Sequence, residues 1–190
     1  MRAVTRAGLA VLALGLSGCS SASTVIAPSG VDELTVPVAT PDPDDFAPAV
    51  GNPWLTLDAA PGPVVAGVAT TEVVRATATG SVDYYAQDTR GNVWWFGREG
   101  SWMVGEDGAE AGLVITAVPR LGDGYQAALA PTADVALVSE VVGVDVEIAV
   151  GTTTSDNTVA IDTRDLTTGR VERAWYAEGI GLVQARTVVD

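Results

Sequence analysis

The chain has 190 residues, and its 24 acidic side chains outnumber its 10 arginines, giving a formal net charge of −14 at pH 7. It contains no histidine and no lysine, which excludes Ser-His-Asp triads, Cys-His dyads, histidine metal sites, Ser-Lys catalysis and lysine Schiff bases. So acidic a surface also repels nucleic acid and anionic phospholipid headgroups, and neither is expected as a partner.

The N-terminus has the layout of a bacterial lipoprotein signal. Arg2 and Arg6 supply a positively charged start, and residues 7–16 form an unbroken apolar run. Such a run is typical of a signal peptide and too short for a membrane-spanning helix, which needs about 20 residues. Two small residues, 17 and 18, then precede Cys19, the only cysteine in the chain. The alternative is an ordinary secretory signal that has a cysteine near its cleavage site by chance.

Cys19 is therefore the predicted lipidation site. Its thiol is the nucleophile that accepts a diacylglyceryl group, and its amine can be acylated once residues 1–18 are removed. Two or three acyl chains hold a protein stably on a bilayer, whereas a single chain does not. We expect a lipid-anchored protein of the cell envelope, on the extracytoplasmic face of the cell membrane, with its acyl chains as the contact to that membrane. Because Cys19 is acylated, no thiol remains to form a disulfide.

Three segments are predicted: the signal peptide at 1–18, a linker at 19–50 and a β domain at 51–190. The linker contains five prolines, an acidic cluster at 42–45 and no sustained hydrophobic periodicity. Proline and like charges keep such a segment disordered and extended. The Val-, Thr- and Gly-rich remainder favours strands over helices.

Short apolar runs with turn signals between them follow the linker. The β-branched runs 64–68 and 72–78 come first. A hairpin is predicted next, in which residues 82–87 and 93–96 pair across the turn 88–92. Further strands are predicted at 113–118, 125–129, 135–142, 144–150, 158–165, 171–176 and 182–189, with a helical turn at 130–133.

The run 144–150 alternates most regularly. Val144, Val146, Ile148 and Val150 fall on one face, which is the pattern of a strand with one buried side. With about nine short strands and no long amphipathic helix, the chain is predicted to be all-β. We expect a single antiparallel meander that forms a curved sheet, a half-barrel or a sandwich.

Two sequence motifs resemble those of a known family. The first runs from Tyr85-Ala86-Gln87-Asp88 to Gly91-Asn92-Val93-Trp94-Trp95-Phe96-Gly97, and the second, near the C-terminus, is Tyr176-Ala177-Glu178-Gly179-Ile180-Gly181-Leu182-Val183. In this order they resemble a family of uncharacterised secreted bacterial β-rich proteins and lipoproteins, mostly of actinobacterial type, with a YAQD…GNVWxFG motif and a C-terminal YAxGxGLV motif. The resemblance covers about residues 52–184 and implies a β-rich exported domain without an established reaction.

Aromatic side chains are the strongest candidates for a binding face. Successive strand residues point to opposite faces, so adjacent aromatic pairs place rings on both sides of a sheet. One side must be the core, and the other is either covered by a second layer or lines a pocket. The alternative is that cross-strand aromatic pairs only stabilise the domain. The candidate binding face consists of Tyr84, Tyr85, Trp94, Trp95, Trp102, Trp175 and Tyr176.

Carboxylates are the remaining candidates for catalysis, since paired acids hydrolyse glycosides. Asp83, Asp88, Glu99 and Glu178 lie near the aromatic residues in the sequence. Solvated or turn-capping acids are expected in so acidic a chain, and Asp88 is placed to cap the turn that contains Gly91. The acidic clusters lack the ordered spacing of an EF-hand, so no metal site is predicted.

These observations predict a non-enzymatic module of the cell envelope, with no catalytic residues and no cofactor. We expect it to bind a hydrophobic or glycan ligand, or another envelope protein, through its aromatic face. The alternatives are a carboxylate-based hydrolase of cell-wall glycan and a purely structural spacer.

Overall fold

The structure, a computed structural model, describes residues 42–47, 51–55, 60–74, 80–151 and 153–188. Within these ranges it contains thirteen β-strands and two short 3-10 turns, which confirms the predicted all-β class. No helix in the same ranges is long and apolar enough to cross a bilayer. The strands are β1 (Pro61–Val65), β2 (Val68–Val74), β3 (Val82–Gln87), β4 (Val93–Arg98), β5 (Trp102–Met103), β6 (Gly112–Ile115), β7 (Gly124–Ala130), β8 (Val135–Val144), β9 (Ile148–Val150), β10 (Thr153–Ser155), β11 (Thr158–Asp165), β12 (Val171–Ala177) and β13 (Gly181–Val188).

All strands except β9 and β10 belong to two larger sheets. The six-stranded sheet has the order β1-β2-β3-β4-β5, and β6 also pairs with β4. The five-stranded sheet has the order β13-β12-β11-β8-β7, and the β9–β10 hairpin is inserted between β8 and β11. The strand pairings are antiparallel, and one sheet curls into a half-barrel. The predicted antiparallel, curved architecture is therefore confirmed, although the strands are divided between sheets and exceed the expected nine.

The two larger sheets meet where β6 lies against β7. The backbone N–H of Glu110, just before β6, donates a hydrogen bond to the carbonyl of Leu129 at 2.8 Å. At Gly112 no side chain fits, because a Cβ would lie 1.9 Å from the carbonyl oxygen of Ala127. Glycine at this position therefore allows the sheets to come into backbone contact.

One hydrophobic core contains side chains from both larger sheets. Fully burying a large apolar side chain stabilises a fold by about 1.5–3 kcal/mol, so this shared core holds the sheets together. Its largest fully buried apolar side chains are Val93, Phe96, Leu113 and Ile115 of the six-stranded sheet, and Val141, Val159 and Ile161 of the five-stranded sheet.

Residues 42–47 fall in the segment predicted to be a disordered linker, and the structure describes them beside the β-strands. They contain a 3-10 turn at Pro43–Asp45 and an aromatic residue, Phe46. The Phe46 ring packs edge-on against Phe96, with ring centroids 5.1 Å apart, and lies 6.5 Å from Trp94. Aromatic packing of this kind favours docking of the segment on the domain. The signal peptide, Cys19 and the rest of the linker lie outside the described residues.

Two predicted strands are each divided by a turn. In the run 144–150, β8 ends at Val144, and Asp145 adopts a left-handed conformation with a φ of 52°. Aspartate tolerates this conformation better than most residues, so the chain turns there despite the regular alternation of its neighbours. The run 64–68 likewise contains the turn at Ala66 and Gly67 that joins β1 to β2.

We expect Gly112→Ala to lower the free energy of unfolding by about 3 kcal/mol. The added methyl group would overlap a backbone carbonyl, which cannot move aside as a flexible side chain can. Gly124→Ala is the matched control, since its Cβ would have its nearest neighbour at 3.9 Å, and it should change stability by less than about 0.5 kcal/mol. Chemical denaturation of both variants provides the measurement. Equal stabilities would contradict the backbone contact between the sheets.

Candidate functional site

A groove of about 420 Å³ lies between the two larger sheets. Small-molecule sites typically occupy about 300–1,000 Å³, so the groove is large enough for a ligand. One wall is the inner face of the five-stranded sheet. The opposite wall is formed by Tyr85 of β3 and by Trp95 and Arg98 of β4, with Val114 of β6 beside them.

Strand alternation explains which residues of the five-stranded sheet line the groove. Every second residue of β8, β11 and β12 points to the same side. Antiparallel pairing then places Ser139 opposite Thr163, and Thr163 opposite Glu172. The hydroxyl oxygens of Ser139 and Thr163 are 2.8 Å apart. The lining residues of these three strands are Val135, Leu137, Ser139, Ile161, Thr163, Asp165, Glu172, Ala174 and Tyr176.

The groove changes in polarity along its length. Tyr176, half-buried, lies at one end of β12, and Ile161 pairs with Ala174 next to it. The polar row of Ser139, Thr163 and Glu172 follows, and the groove then reaches the turn between β11 and β12. Leu137 lies opposite Asp165 beyond this row, so the groove combines an aromatic residue at one end with a row of hydrogen-bonding residues that has apolar side chains on both sides.

Tyr85 and Trp95 form a packed aromatic wall. They lie opposite each other in the β3–β4 pairing, and their rings are stacked with centroids 6.2 Å apart. The indole N–H of Trp95 donates to the carbonyl of Gly97 at 2.7 Å, and Trp102 packs edge-on against Trp95 at 5.1 Å. Both wall residues are therefore fixed before any ligand arrives.

A buried carboxylate holds this wall in place. Asp83 is fully buried, and its Oδ1 accepts a hydrogen bond from Arg98 Nε at 2.7 Å. Its Oδ2 accepts from Arg98 Nη2 at 3.3 Å and from the Tyr85 hydroxyl at 3.2 Å. The guanidinium carbon of Arg98 lies 5.0 Å from the centroid of the Trp95 ring, a cation–π distance. Asp83 thereby positions Tyr85, Arg98 and, through Arg98, Trp95.

Charged side chains surround the polar end of the groove, and we call this set the rim. Asp165 caps the turn that follows β11, because Oδ1 accepts from the Thr167 N–H at 2.8 Å and Oδ2 accepts from the Thr168 hydroxyl at 2.7 Å. The side-chain hydrogen bonds from Thr167 and Thr168 lower the pKa of Asp165 to about 2. An exposed pair, Arg170 with Glu172, lies nearby at 3.7 Å. The rim consists of Asp134, Asp165, Arg170 and Glu172.

Three of the seven predicted aromatic residues line the groove, namely Tyr85, Trp95 and Tyr176. Trp94 instead donates its indole N–H to Asp88 Oδ2 at 3.0 Å. The ring centroid of Trp175 lies 4.8 Å from the guanidinium carbon of Arg186. The other two, Tyr84 and Trp102, are buried and do not line the groove.

The four carboxylates considered for catalysis are not brought together in the groove. Asp83 pairs with Arg98, as described above. Asp88 caps the β3–β4 turn, accepting hydrogen bonds from the backbone N–H groups of Arg90 and Asn92, each at 2.9 Å, so its predicted capping role is confirmed. Glu178 accepts a hydrogen bond from the Asn157 amide, and Glu99 follows β4 in a surface turn.

Sequence patterns do not single out the polar half of the groove. They mark Thr163, Asp165 and Glu172 only as ordinary strand or turn residues. The available signal is alternation within 158–165 and 171–176, which places these residues on one face of each strand. It does not indicate that β11 pairs with β8, which is needed to assemble the groove.

Within the described part of the chain, no group of three or more Asp, Glu, His or Cys side chains is arranged to hold a metal ion. Comparison with protein-family models, curated proteins and solved structures finds no match to this chain. The resemblance carried by the two sequence motifs therefore remains a prediction.

The capped turn at Asp165 gives a testable pH dependence. Because the folded pKa lies below the ordinary value of 3.8, the cap stabilises the fold above about pH 4, and this contribution is lost as the pH falls towards 2. Asp165→Asn should make the unfolding free energy less dependent on pH in this window. Denaturation at several pH values between about 2 and 5 provides the measurement. A pH dependence identical in both proteins would contradict the assignment.

Proposed function

We propose that this chain is a lipid-anchored, extracytoplasmic binding protein that holds a neutral glycan in the groove without catalysing a reaction. The signal layout that ends at Cys19 supports the anchor. The preformed groove, with an aromatic end and a hydrogen-bonding end, is the observation that carries the binding function.

The mixture of aromatic, apolar and hydrogen-bonding residues in the groove favours an amphipathic ligand such as a sugar. A sugar ring has an apolar face that packs on aromatic side chains, and the half-buried Tyr176 offers such a surface. Its hydroxyl groups need donors and acceptors, which Thr163 and Glu172 provide at the polar end. Seven of the sixteen residues that line the groove are polar or charged, which is more than in a typical, mainly apolar ligand site and suits a ligand rich in hydroxyl groups.

Charge favours a neutral ligand over an anionic one. The rim contains three carboxylates and one guanidinium, and Arg98 is already paired with Asp83. The chain as a whole carries a formal charge of −14. Like charges repel at this rim, so fatty acids and acidic phospholipids fit it poorly, whereas hydroxyl groups donate readily to carboxylates.

The electrostatics of Asp165 do not suit the proton donor of a glycoside hydrolase. A glycoside hydrolase needs a carboxylic acid that is protonated when it meets the leaving group. The pKa of Asp165 is lowered to about 2, so this carboxylate is ionised at neutral pH and suits the role of a fixed turn cap.

Replacing Cys19 with serine should release the protein from the membrane, because each buried methylene of an acyl chain contributes about 0.8 kcal/mol to membrane binding. Membrane fractionation of cells that express the two forms provides the measurement, and intact mass shows the acyl chains. An unmodified thiol on a wild-type protein that retains residues 1–18 would contradict the anchor.

Replacing Tyr176 with alanine should weaken binding of a neutral oligosaccharide about tenfold, which corresponds to about 1.4 kcal/mol, because the variant lacks the half-buried ring at the apolar end. Gln184→Ala is the control, since Gln184 is exposed and pairs with Trp175 rather than with a groove residue. Calorimetric titration of the full chain with neutral cell-wall oligosaccharides provides the measurement.

Two results would contradict the glycan assignment. One is that no oligosaccharide binds the wild-type chain. The other is that native mass spectrometry after exposure to a membrane extract detects a bound lipid that Tyr176→Ala loses.

A further inference from the structure

The outer edge of β13 is a long strand edge that pairs with no other strand in the described ranges. β13 has eight residues and ends the five-stranded sheet, with β12 on its inner side. The other sheet edges are protected. β1 contains Pro61 and Pro63, β5, β9 and β10 have two or three residues each, and the segment before β6 covers β7 through the bridge between Glu110 and Leu129. Proline, short length and a covering segment all prevent edge-to-edge pairing, and β13 has none of these three.

The backbone groups that β13 presents at this edge follow from the pairing further into the sheet. The Asp165 N–H donates to the Arg170 carbonyl at 2.9 Å, which begins the β11–β12 ladder. Consecutive residues of an antiparallel strand direct their N–H and C=O groups to opposite neighbours. The even-numbered residues of β12 therefore bond to β11, and its odd-numbered residues bond to β13. Because Arg173 pairs with Arg186, Arg186 bonds to β12, and Ala185 directs its N–H and C=O groups out of the sheet.

The β13 edge differs in charge from the rest of the chain. Residues 179–188 contain no acidic side chain and one basic side chain, Arg186, although the whole chain has 24 acids and a formal charge of −14. The guanidinium of Arg186 lies over the Trp175 ring, with its carbon 4.8 Å from the ring centroid. Two copies of so acidic a chain repel each other. A strand edge without carboxylates adds nothing to this repulsion, and it is a place where two copies can meet.

The side chains of β13 complement those of a second β13 in one antiparallel register. With Ala185 opposite Ala185 of the second copy, Gln184 lies opposite Arg186, and the two-fold symmetry repeats this pair. Leu182, which is 53% exposed, then lies near Val188 of the second copy. A register centred on Arg186 would instead place two arginines directly opposite each other, which is destabilising. The register centred on Ala185 therefore pairs apolar with apolar and charged with neutral polar side chains.

We propose that β13 pairs antiparallel with β13 of a second copy of this chain, joining two five-stranded sheets into one continuous sheet. The two-fold axis passes beside Ala185, whose N–H and C=O groups bond to those of Ala185 in the second copy. A single pair of strands is a small interface, so the dimer is weak. Added salt screens the repulsion between the acidic copies and strengthens the dimer. This interface is independent of the glycan proposed for the groove.

Cross-linking of Ala185→Cys in the full chain tests this pairing. Residues opposite each other in a hydrogen-bonded antiparallel pair have Cα atoms about 5.5 Å apart, a distance that a disulfide spans. Mild oxidation of membranes from cells that express this variant should therefore give a covalent dimer with twice the mass of the chain. The wild type is the blank, because it reports any cross-linking through Cys19, the only native cysteine.

Thr187→Cys is the matched control on the same strand, since Thr187 is also exposed. In the proposed register Thr187 lies opposite Val183 of the second copy. The two Thr187 residues then lie on opposite sides of the axis, about 13 Å apart along the strands. Two cysteines more than about 7 Å apart between Cα atoms cannot form a disulfide, so this variant should give little or no dimer.

Sedimentation of the full chain in a neutral detergent measures the association without oxidation. The wild type should form more dimer as the protein or salt concentration rises. Ala185→Lys places two ammonium groups opposite each other and should weaken association at least about tenfold. Leu166→Lys is the control, because it makes the same charge change at an exposed residue of the β11–β12 turn, and it should associate like the wild type. An equal mixture of Ala185→Lys and Ala185→Glu should recover the dimer.

Three results would overturn the proposal. The first is that Ala185→Cys forms no covalent dimer and the wild type sediments as a monomer at every concentration. The second is that Thr187→Cys cross-links as efficiently as Ala185→Cys, which contradicts the register. The third is that Ala185→Cys cross-links to a different protein instead of a second copy, which assigns this edge to another partner.

Discussion

The backbones of β6 and β7 touch at Gly112 and Ala127, and this contact determines how the two larger sheets face each other. A side chain at Gly112 would hold the sheets apart, since its Cβ would overlap the Ala127 carbonyl. Ala127 also lines the groove, so the closest approach of the sheets forms one side of the groove. Tyr85 and Trp95 occupy part of the remaining space between the sheets. The groove is the part that they leave open.

The aromatic wall of the groove depends on a buried charge. Burying a carboxylate costs free energy that its ion pair offsets only with good geometry, and Asp83 meets this condition through hydrogen bonds with Arg98 and Tyr85. The resulting wall needs little ordering when a ligand binds, which lowers the entropic cost of binding. A fixed wall opposite a half-buried Tyr176 is thus consistent with a preformed binding site.

Local signals predict the fold class and several strands, because alternation and turn chemistry act over a few residues. The predicted strands 82–87 and 158–165 match β3 and β11 at both ends. The turn at Asp145 is not predicted from the sequence, because the hydrophobic alternation continues across it. The set of residues that line the groove is not predicted by these signals either, because this set depends on β8 pairing with β11 across the inserted β9–β10 hairpin. For two aromatic residues that are adjacent in the sequence, strand alternation predicts that their rings point to opposite faces of the sheet. It does not predict which of the two rings lines the groove.

Three arginines of the folded part lie beside acids, and the remaining negative charge affects how the domain meets a membrane. Arg98 pairs with Asp83, Arg173 pairs with Asp162 at 2.6 Å, and Arg170 lies beside Glu172. These three positive charges lie next to specific acids, while carboxylates remain in excess over the chain as a whole. An acidic domain is repelled by anionic headgroups, so in the proposed arrangement only the acyl chains on Cys19 attract it to the bilayer.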